Sequence, residues 1–341
     1  MRVIAGQSPS ITDEFLAYAR QLGLSGVQVN TPDLPGAERW EYSDLVAMRK
    51  ACEDAGLRLE AIENIPVSFY RRCMLGEPGR DREIENVKRT IENIARAGIP
   101  ILGYHWMPLS VWRTSIAPDG RGGAVATTFD ARIAEDPSRR SDIYFAARDE
   151  RLDDTWVRGL PGKPRPVSTE QMWDNYLYFM ERVLPAAEDS GLRLALHPDD
   201  PPTPHLDGVA RIFSSVQGLA KAAALFPSQC WAVDLCLGTV SEMGGQAAVM
   251  EAIAVLGPLG KIAYVHLRDV IGTVPRFSEC FLGEGNYDPV AVLKALRDVG
   301  FDSFILDDHV PRVVGDSDYG HRARAYTIGY IQGLLRTTAD A

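Results

Sequence analysis

The sequence lacks the features that mark several common protein classes. Its 341 residues include only five cysteines, none in a CxxC pair, which argues against a disulfide framework or a zinc finger. No window approaches the roughly 18 apolar residues of a membrane span, and the first residues carry no charged region followed by a long apolar core. We therefore expect a cytoplasmic protein without a membrane partner.

An excess of positive charge is also missing. The formal net charge is -10 and the acidic residues are scattered, so neither a nucleic acid nor an anionic membrane surface is an expected partner. No GxGxxG fingerprint or P-loop occurs. A small anionic substrate would need local help from Arg, Lys or a metal ion.

Short apolar runs alternate with stretches of helical period along the chain. The predicted strands are 3–5, 26–30, 57–62, 101–104, 192–196, 230–235, 262–266 and 303–306. The predicted helices include 11–22, 45–55, 81–97, 171–190, 289–299 and 322–335. Eight strands alternating with helices predict an α/β fold, a single (β/α)8 TIM barrel domain over residues 1–341, rather than an open doubly wound sheet.

A polar stretch at 110–163, rich in Arg, Asp and Gly, interrupts this alternation between the fourth strand and its helix. On a barrel that connection lies at the catalytic face, so we expect a lid-like insertion or a substrate wall. A surface excursion without function is the alternative. Trp106, Trp112 and Trp156, in or beside the insertion, favour an ordered flap.

Residues of metal-ligand type follow four consecutive predicted strands. The fifth ends at His197, the sixth at Cys236, the seventh at His266, and the eighth leads into Asp308 and His309. Each residue alone is weak evidence, but three of the chain's six histidines fall where a barrel converges its side chains. One thiolate, two imidazoles and the Asp308 carboxylate predict a mononuclear metal site, and this donor set by itself suits zinc, iron or cobalt.

His309 has a different predicted role from its neighbour. Adjacent side chains at a strand end diverge, so a residue next to a ligating Asp308 does not easily bind the same ion. His309 is therefore free for proton transfer, and a nearby cation disfavours its protonated form, which suits a general base.

Several segments together resemble the mannonate dehydratase family, whose members belong to the xylose-isomerase-like barrel group. They are, in family order, YHWMP (104–108), LALHPDDPP (194–202), DLCLGT (234–239), VHLRDV (265–270) and DDHVPR (307–312). The resemblance runs from the fourth strand to the C-terminus, and the crowded HPDDPP segment is its most specific part.

The resemblance implies a metal-dependent hydro-lyase. It assigns a divalent ion, usually manganese, to His197, Cys236, His266 and Asp308, with Fe²⁺, Co²⁺, Mg²⁺ or Zn²⁺ as alternatives. His309 would be the acid/base residue, and Arg268 would face the substrate carboxylate. The implied reaction removes water from a sugar acid, D-mannonate or a related aldonate, to give a 2-keto-3-deoxy sugar acid. Relatives associate, which favours a homo-oligomer.

Further residues are candidate substrate contacts. Tyr104 and His105 come from the YHWMP segment. Arg113 could reach substrate from the insertion or brace the insertion against an acidic residue. Asp199 could act as a general acid or bind a hydroxyl, or the loop that contains it could cap the next helix. Glu63, after the third strand, is a candidate contact for substrate hydroxyls.

Three positions depart from the family pattern. His105 stands where the family has Asn, Leu237 follows the predicted cysteine ligand where the family has Thr, and Val310 replaces the Gly after the catalytic His. The predicted metal ligands are retained, so the reaction type is a safer inference than the substrate.

Two other functions fit a barrel of this kind. A metal-dependent sugar isomerase or epimerase would move the proton between carbons without losing hydroxide. Enzymes of that type usually bind metal through two Glu, an Asp and a His, and this chain offers no Glu at its sixth or eighth strand end. A non-catalytic sugar-acid-binding relative is the second alternative, and His309 beside Asp308 argues against it.

Overall fold

Parallel strands close into a ring in the computed structural model, which describes residues 1–136, 138–139, 144–145 and 166–338. The barrel strands are β1 (Arg2–Val3), β2 (Ala5–Ser8), β3 (Gly26–Val29), β4 (Arg58–Ile62), β5 (Ile101–His105), β10 (Arg193–His197), β13 (Trp231–Cys236), β14 (Ile262–His266) and β17 (Phe304–Leu306). The remaining strands are β6 (Trp112–Arg113), β7 (Ser115–Ala117), β8 (Ala126–Asp130), β9 (Tyr144–Phe145), β11 (His205–Leu206), β12 (Val209–Ala210), β15 (Asp269–Thr273) and β16 (Arg276–Cys280).

The ring closes through the first strand, whose two halves are separated only by Ile4. β1 pairs with β17 and β2 pairs with β3, so the two ends of the sheet meet in one continuous segment. Nine strand segments therefore make an eight-stranded barrel, and all eight predicted strands are confirmed.

Helices cover the outside of the barrel. They are α1 (Asp13–Gln21), α2 (Tyr42–Asp54), α3 (Arg71–Leu75), α4 (Arg80–Arg96), α5 (Ala131–Ala134), α6 (Thr169–Ser190), α7 (Val216–Leu225), α8 (Leu237–Leu256), α9 (Pro289–Asp298) and α10 (His321–Thr337), with single 3-10 turns at Val67–Phe69 and Arg121–Gly123. Asp288 caps α9 at the amide of Val290, ahead of a proline at the first helical position, as the sequence predicts. None of the described helices combines the length and the apolarity that a bilayer crossing requires.

The two faces of the barrel strands bury different side chains. Outward residues such as Leu194, Val233 and Val265 join the large core beneath the helices. The interior holds mostly small or aromatic side chains, among them Ala195 and Tyr264. Apolar packing fills the middle of the barrel, so polar side chains concentrate at the carboxyl ends of the strands.

In its described part, the insertion forms strands that pair with the loop that follows the seventh barrel strand. β8 pairs antiparallel with β7 and β16, and β16 pairs with β15, which gives a four-stranded auxiliary sheet. Residues 137, 140–143 and 146–163 of the predicted lid, including Trp156, lie outside the described residues. The lid function stays a prediction.

Candidate active site

A cavity of about 480 Å³ opens at the carboxyl ends of the barrel strands. His105, His197, Asp308 and His309 contribute to its wall, together with Glu63. Cys236 and His266 are fully buried beneath it. The barrel thus brings residues from six strand ends to one concave site of the size that small molecules occupy.

The four predicted metal donors converge at this site. Ligand atoms of His197, Cys236 and His266 lie within 4.8 Å of one another. Asp308 joins them, with its Oδ2 atom 3.7 Å from the Cys236 sulfur. Glu63 forms a second group with His266 and Asp308, also within 4.8 Å. A glutamate that the sequence suggested only as a substrate contact is therefore also a neighbour of the donor cluster.

The chemistry of the cluster fits a divalent cation. His266 is fully buried, and among the described residues neither ring nitrogen makes a hydrogen bond of normal geometry. The nearest carboxylate oxygens belong to Asp234, Glu63 and Asp308, at 3.4, 3.5 and 3.6 Å. Buried polar atoms without partners are rare and costly, and a bound cation would remove this cost.

The surroundings of Cys236 favour the ionised, thiolate form of its side chain. Burial opposes the thiolate, but the charges of Arg268 and His197 outweigh burial and hold the pKa of Cys236 well below its usual range. The thiolate is the form of cysteine that binds metals. Imidazole, thiolate and carboxylate together match the donor preferences of first-row transition ions.

Asp308 lies just after the eighth barrel strand and has a left-handed backbone conformation, with φ of 52°. Such a conformation is uncommon for a residue other than Gly, Asn or Asp. Gln7 donates to Asp308 Oδ1 at 2.8 Å and Arg268 donates to Oδ2 at 2.8 Å. Although burial works against ionisation, His309, His266 and Arg268 hold the pKa of Asp308 well below its usual range.

Because of this left-handed turn at Asp308, the side chain of His309 lines the same cavity as the side chain of Asp308. Its Nε2 atom lies 3.7 Å from Asp308 Oδ1, its Nδ1 atom lies 3.0 Å from Glu279 Oε1, and a third of the side chain is exposed. Burial opposes protonation, but Asp308 and Glu279 together raise the pKa of His309. A neighbouring cation, which the sequence predicts, would lower the pKa of His309, and these two carboxylates act in the opposite sense.

Arg268 and Arg113 lie in a buried ionic network behind the cavity wall. Arg268 donates to Asp200 at 2.7 Å as well as to Asp308. Arg113 binds both oxygens of Asp200, at 2.5 and 2.8 Å. Only 2% of either arginine side chain is exposed. Arg113 therefore occupies the bracing position, which is one of its two predicted alternatives, and Arg268 contacts protein carboxylates.

Tyr104 is not brought to the cavity, which corrects the expectation that it binds substrate. Its hydroxyl lies 2.9 Å from the Tyr176 hydroxyl and 3.5 Å from the Met180 sulfur, in the core beneath α6. Asp199 is fully buried and accepts a hydrogen bond of 2.7 Å from the amide of Phe213. Burial raises the pKa of Asp199 to about 6.

His105, in contrast, lines the cavity and has a defined tautomer. The amide of Met107 donates to its Nδ1 atom at 3.2 Å, so the ring proton belongs on Nε2. Burial, with the charges of His197 and Arg211, lowers the pKa of His105 to about 3. The residue that replaces the family asparagine is therefore a neutral hydrogen-bond donor near neutral pH.

Sequence reasoning missed two kinds of residue at the site. Gln7 lies near the end of the first barrel strand and Asn30 follows the second. Both bind Glu63: Gln7 donates to it at 2.7 Å and Asn30 at 3.0 Å. The strand-end rule that found the metal donors would also have found these two. Glu279 lies on the auxiliary sheet, and no local pattern indicates that it reaches His309.

The eight-stranded barrel with a polar cluster at the carboxyl ends of its strands defines a (β/α)8 barrel whose candidate site lies at the catalytic face of the fold. An L-ribulose 3-epimerase structure matches this fold with a TM-score of 0.61 at 14% identity, covering 99% of this chain and 96% of that one. This similarity shows the fold alone.

The chain belongs to the D-mannonate dehydratase (UxuA) family, whose model matches residues 6–341. A mannonate dehydratase of Thermotoga maritima is 30% identical over 94% of this chain and 92% of its own. Mannonate dehydratase 2 of Halalkalibacterium halodurans is 30% identical over 95% of this chain and 96% of its own. The crystal structure of the Streptococcus suis serotype 2 mannonate dehydratase matches with a TM-score of 0.81 at 26% identity, covering all of this chain and 96% of that one. The chain is thus an enzyme of the metal-dependent hydro-lyase type.

Proposed function

We propose that the chain dehydrates D-mannonate to a 2-keto-3-deoxy sugar acid and water. The convergence of His197, Cys236, His266 and Asp308 beside His309 carries this proposal. The relatives named as mannonate dehydratases over nearly the whole chain support it.

Each part of the site has a role in the proposed reaction. A divalent ion held by His197, Cys236, His266 and Asp308 would, when bound, stabilise the negative charge that develops as C2 loses its proton. His309 takes the C2 proton, and the electron pair of the C2–H bond forms the C2–C3 double bond as the C3–O bond breaks. Protonated His309 then returns the proton to the departing hydroxide, which leaves as water. The resulting enol then becomes the 2-keto acid. His105 offers its Nε2–H group to a substrate oxygen.

We propose manganese as the resident ion, as the family resemblance implies. The thiolate and imidazole donors also accommodate Fe²⁺, Co²⁺ or Zn²⁺, whereas Mg²⁺ prefers oxygen ligands. We expect about one ion per chain in the purified protein, measured by elemental analysis.

The ligand assignment is tested with Cys236→Ser, for which metal affinity should fall about 10-fold or more. Cys230→Ser is the matched control, because Cys230 lies just before the opposite end of the same strand. In Co²⁺-loaded protein, a thiolate-to-cobalt charge-transfer band should be present in the parent and in Cys230→Ser and absent from Cys236→Ser. The same band and metal content in all three proteins would place the site elsewhere.

The substrate is tested with a panel of hexonic and pentonic acids. D-mannonate should give a 2-keto-3-deoxy product, detected with thiobarbiturate or semicarbazide. A sugar isomerase or epimerase would give no such product but would interconvert sugars, and a non-catalytic relative would bind an acid without turnover. Either result would contradict the proposal.

A homo-oligomer in the cytoplasm, without a nucleic-acid or membrane partner, completes the proposal. It rests on the family resemblance and on the acidic net charge of -10. Light scattering coupled to gel filtration measures the assembly directly.

A further inference from the structure

The Glu279 carboxylate contacts the ring of His309 from the side opposite the donor cluster. Glu279 Oε1 lies 3.0 Å from His309 Nδ1, whereas Nε2 of the same ring lies 3.7 Å from Asp308 Oδ1. The Glu279 side chain is 6% exposed, and a third of the His309 side chain faces the cavity. The two ring nitrogens of His309 therefore have different environments.

The environment of Glu279 fixes which ring nitrogen carries a proton. Besides His309, two guanidinium groups approach Glu279 Oε1: Arg113 at 3.4 Å and Arg268 at 3.7 Å. A carboxylate beside two cations is ionised and can only accept hydrogen bonds. His309 must then donate from Nδ1, so the neutral ring keeps its free lone pair on Nε2.

Glu279 is held in place by the auxiliary sheet and not by the barrel. It lies on β16, where the preceding residue, Ser278, pairs with Thr128 of the insertion. The hydroxyl groups of Ser278 and Thr128 are 2.9 Å apart. The insertion thus supports the strand that carries Glu279.

We propose that Glu279 is a positioning residue for the dehydration: it accepts a hydrogen bond from His309 Nδ1 and directs the Nε2 lone pair toward the substrate. The inference rests on the proposed function, in which His309 takes the C2 proton. In this proposal the insertion and the loop after the seventh strand share the auxiliary sheet, and together they hold His309 in the orientation that the reaction requires. The same division of roles between a carboxylate and a histidine orients the general base in serine hydrolases.

The kinetic test compares Glu279→Gln with the parent and with Glu284→Gln. Glu284 follows β16 and pairs with Arg121 of the insertion, and among the described residues it is not one of those that line the cavity, so its variant should behave as the parent. Glu279→Gln should lower kcat at least about 10-fold and leave KM within about 3-fold, because it changes the orientation of the base and not substrate binding. Metal content should match the parent, and Glu279→Asp should recover part of kcat.

Three results would overturn the proposal. A parental kcat in Glu279→Gln would mean that His309 needs no such partner. Lost metal, or a raised KM with kcat unchanged, would mean that Glu279 acts on the cluster through Arg268.

A second measurement needs neither turnover nor a Glu279 variant. In ¹⁵N-histidine-labelled parent protein loaded with diamagnetic Zn²⁺, at a pH where the ring is neutral, His309 should be protonated at Nδ1 and bare at Nε2. His309→Asn assigns the signal. A proton on Nε2 would overturn the inference. If the parent dehydrates no sugar acid, the proposed function fails while this measurement still decides whether Glu279 fixes the tautomer.

Discussion

Replacing Arg113 with Lys separates a bracing role from a substrate-binding role. Arg113 donates to Asp200 at 2.5 and 2.8 Å, to the Trp112 carbonyl at 3.0 Å and to the Thr127 hydroxyl at 3.2 Å. A lysine ammonium is a single point of contact and cannot bind both oxygens of Asp200 while reaching the other acceptors.

The expected cost follows from these contacts. Losing one charge-assisted bond and one or two neutral bonds removes about 2–4 kcal/mol, and Arg268, which also binds Asp200, limits the loss. With an unfolding entropy of roughly 2.1 cal/mol/K per residue, the chain's entropy is about 0.7 kcal/mol/K, so the Tm should fall by about 3–6 °C.

The assay is thermal unfolding at one fixed scan rate, with limited proteolysis of the insertion followed by mass spectrometry. Arg132→Lys is the control, because Arg132 lies on the same insertion with its side chain 80% exposed, and its replacement should leave the Tm unchanged. For Arg113→Lys we expect a lower Tm, faster cleavage and a KM within about 3-fold of the parent. A parental Tm with a KM raised about 10-fold would refute the bracing role and place Arg113 on the substrate.

Two further predictions test individual side chains. Tyr104→Phe should destabilise the fold by about 1 kcal/mol and leave KM unchanged, because the Tyr176 hydroxyl loses one of its two partners and keeps the hydrogen bond from Trp231. A raised KM at parental stability, measured by steady-state kinetics and thermal unfolding, would return Tyr104 to the substrate site. His309→Asn should keep metal content and sugar-acid affinity but lower turnover by roughly 10²- to 10⁴-fold and abolish exchange of the C2 hydrogen in deuterated water, if the parent shows that exchange. Loss of metal in that variant would exchange the roles of Asp308 and His309, and parental turnover would remove His309 from the mechanism.

Tyr104 and His105 show what the geometry of a strand can predict from the sequence alone. Both residues belong to one segment, and the sequence analysis assigned both to substrate. Consecutive side chains of a strand point to opposite faces, so one faces the barrel axis and the other faces the helices. His105 lines the cavity and Tyr104 packs beneath α6. The alternation of side chains along a strand is therefore sufficient to predict that only one of these two residues faces the cavity.

The metal donors could be predicted because residues at the carboxyl ends of barrel strands lie close together in space, however far apart they are in the sequence. His197, Cys236 and His266 each end an apolar strand, and the carboxyl ends of parallel strands in a barrel meet around one axis. Knowing the strand order was sufficient to place these residues together. Asp308 needed one more feature, the left-handed turn that brings both its own side chain and His309 to the cavity.

The sequence by itself determined the eight strands, their alternation with helices and the set of residues at the strand ends, because apolar period, strand length and helix caps are local properties. Only the tertiary structure decided which partners surround those residues. Arg113 meets Asp200 across 87 positions and Glu279 across 166. The contact with Glu279 depends on the auxiliary sheet, which forms when the insertion pairs with a distant loop. The hydrogen bonds and burial that favour such pairing are gained between segments far apart in the chain, so no local pattern records them.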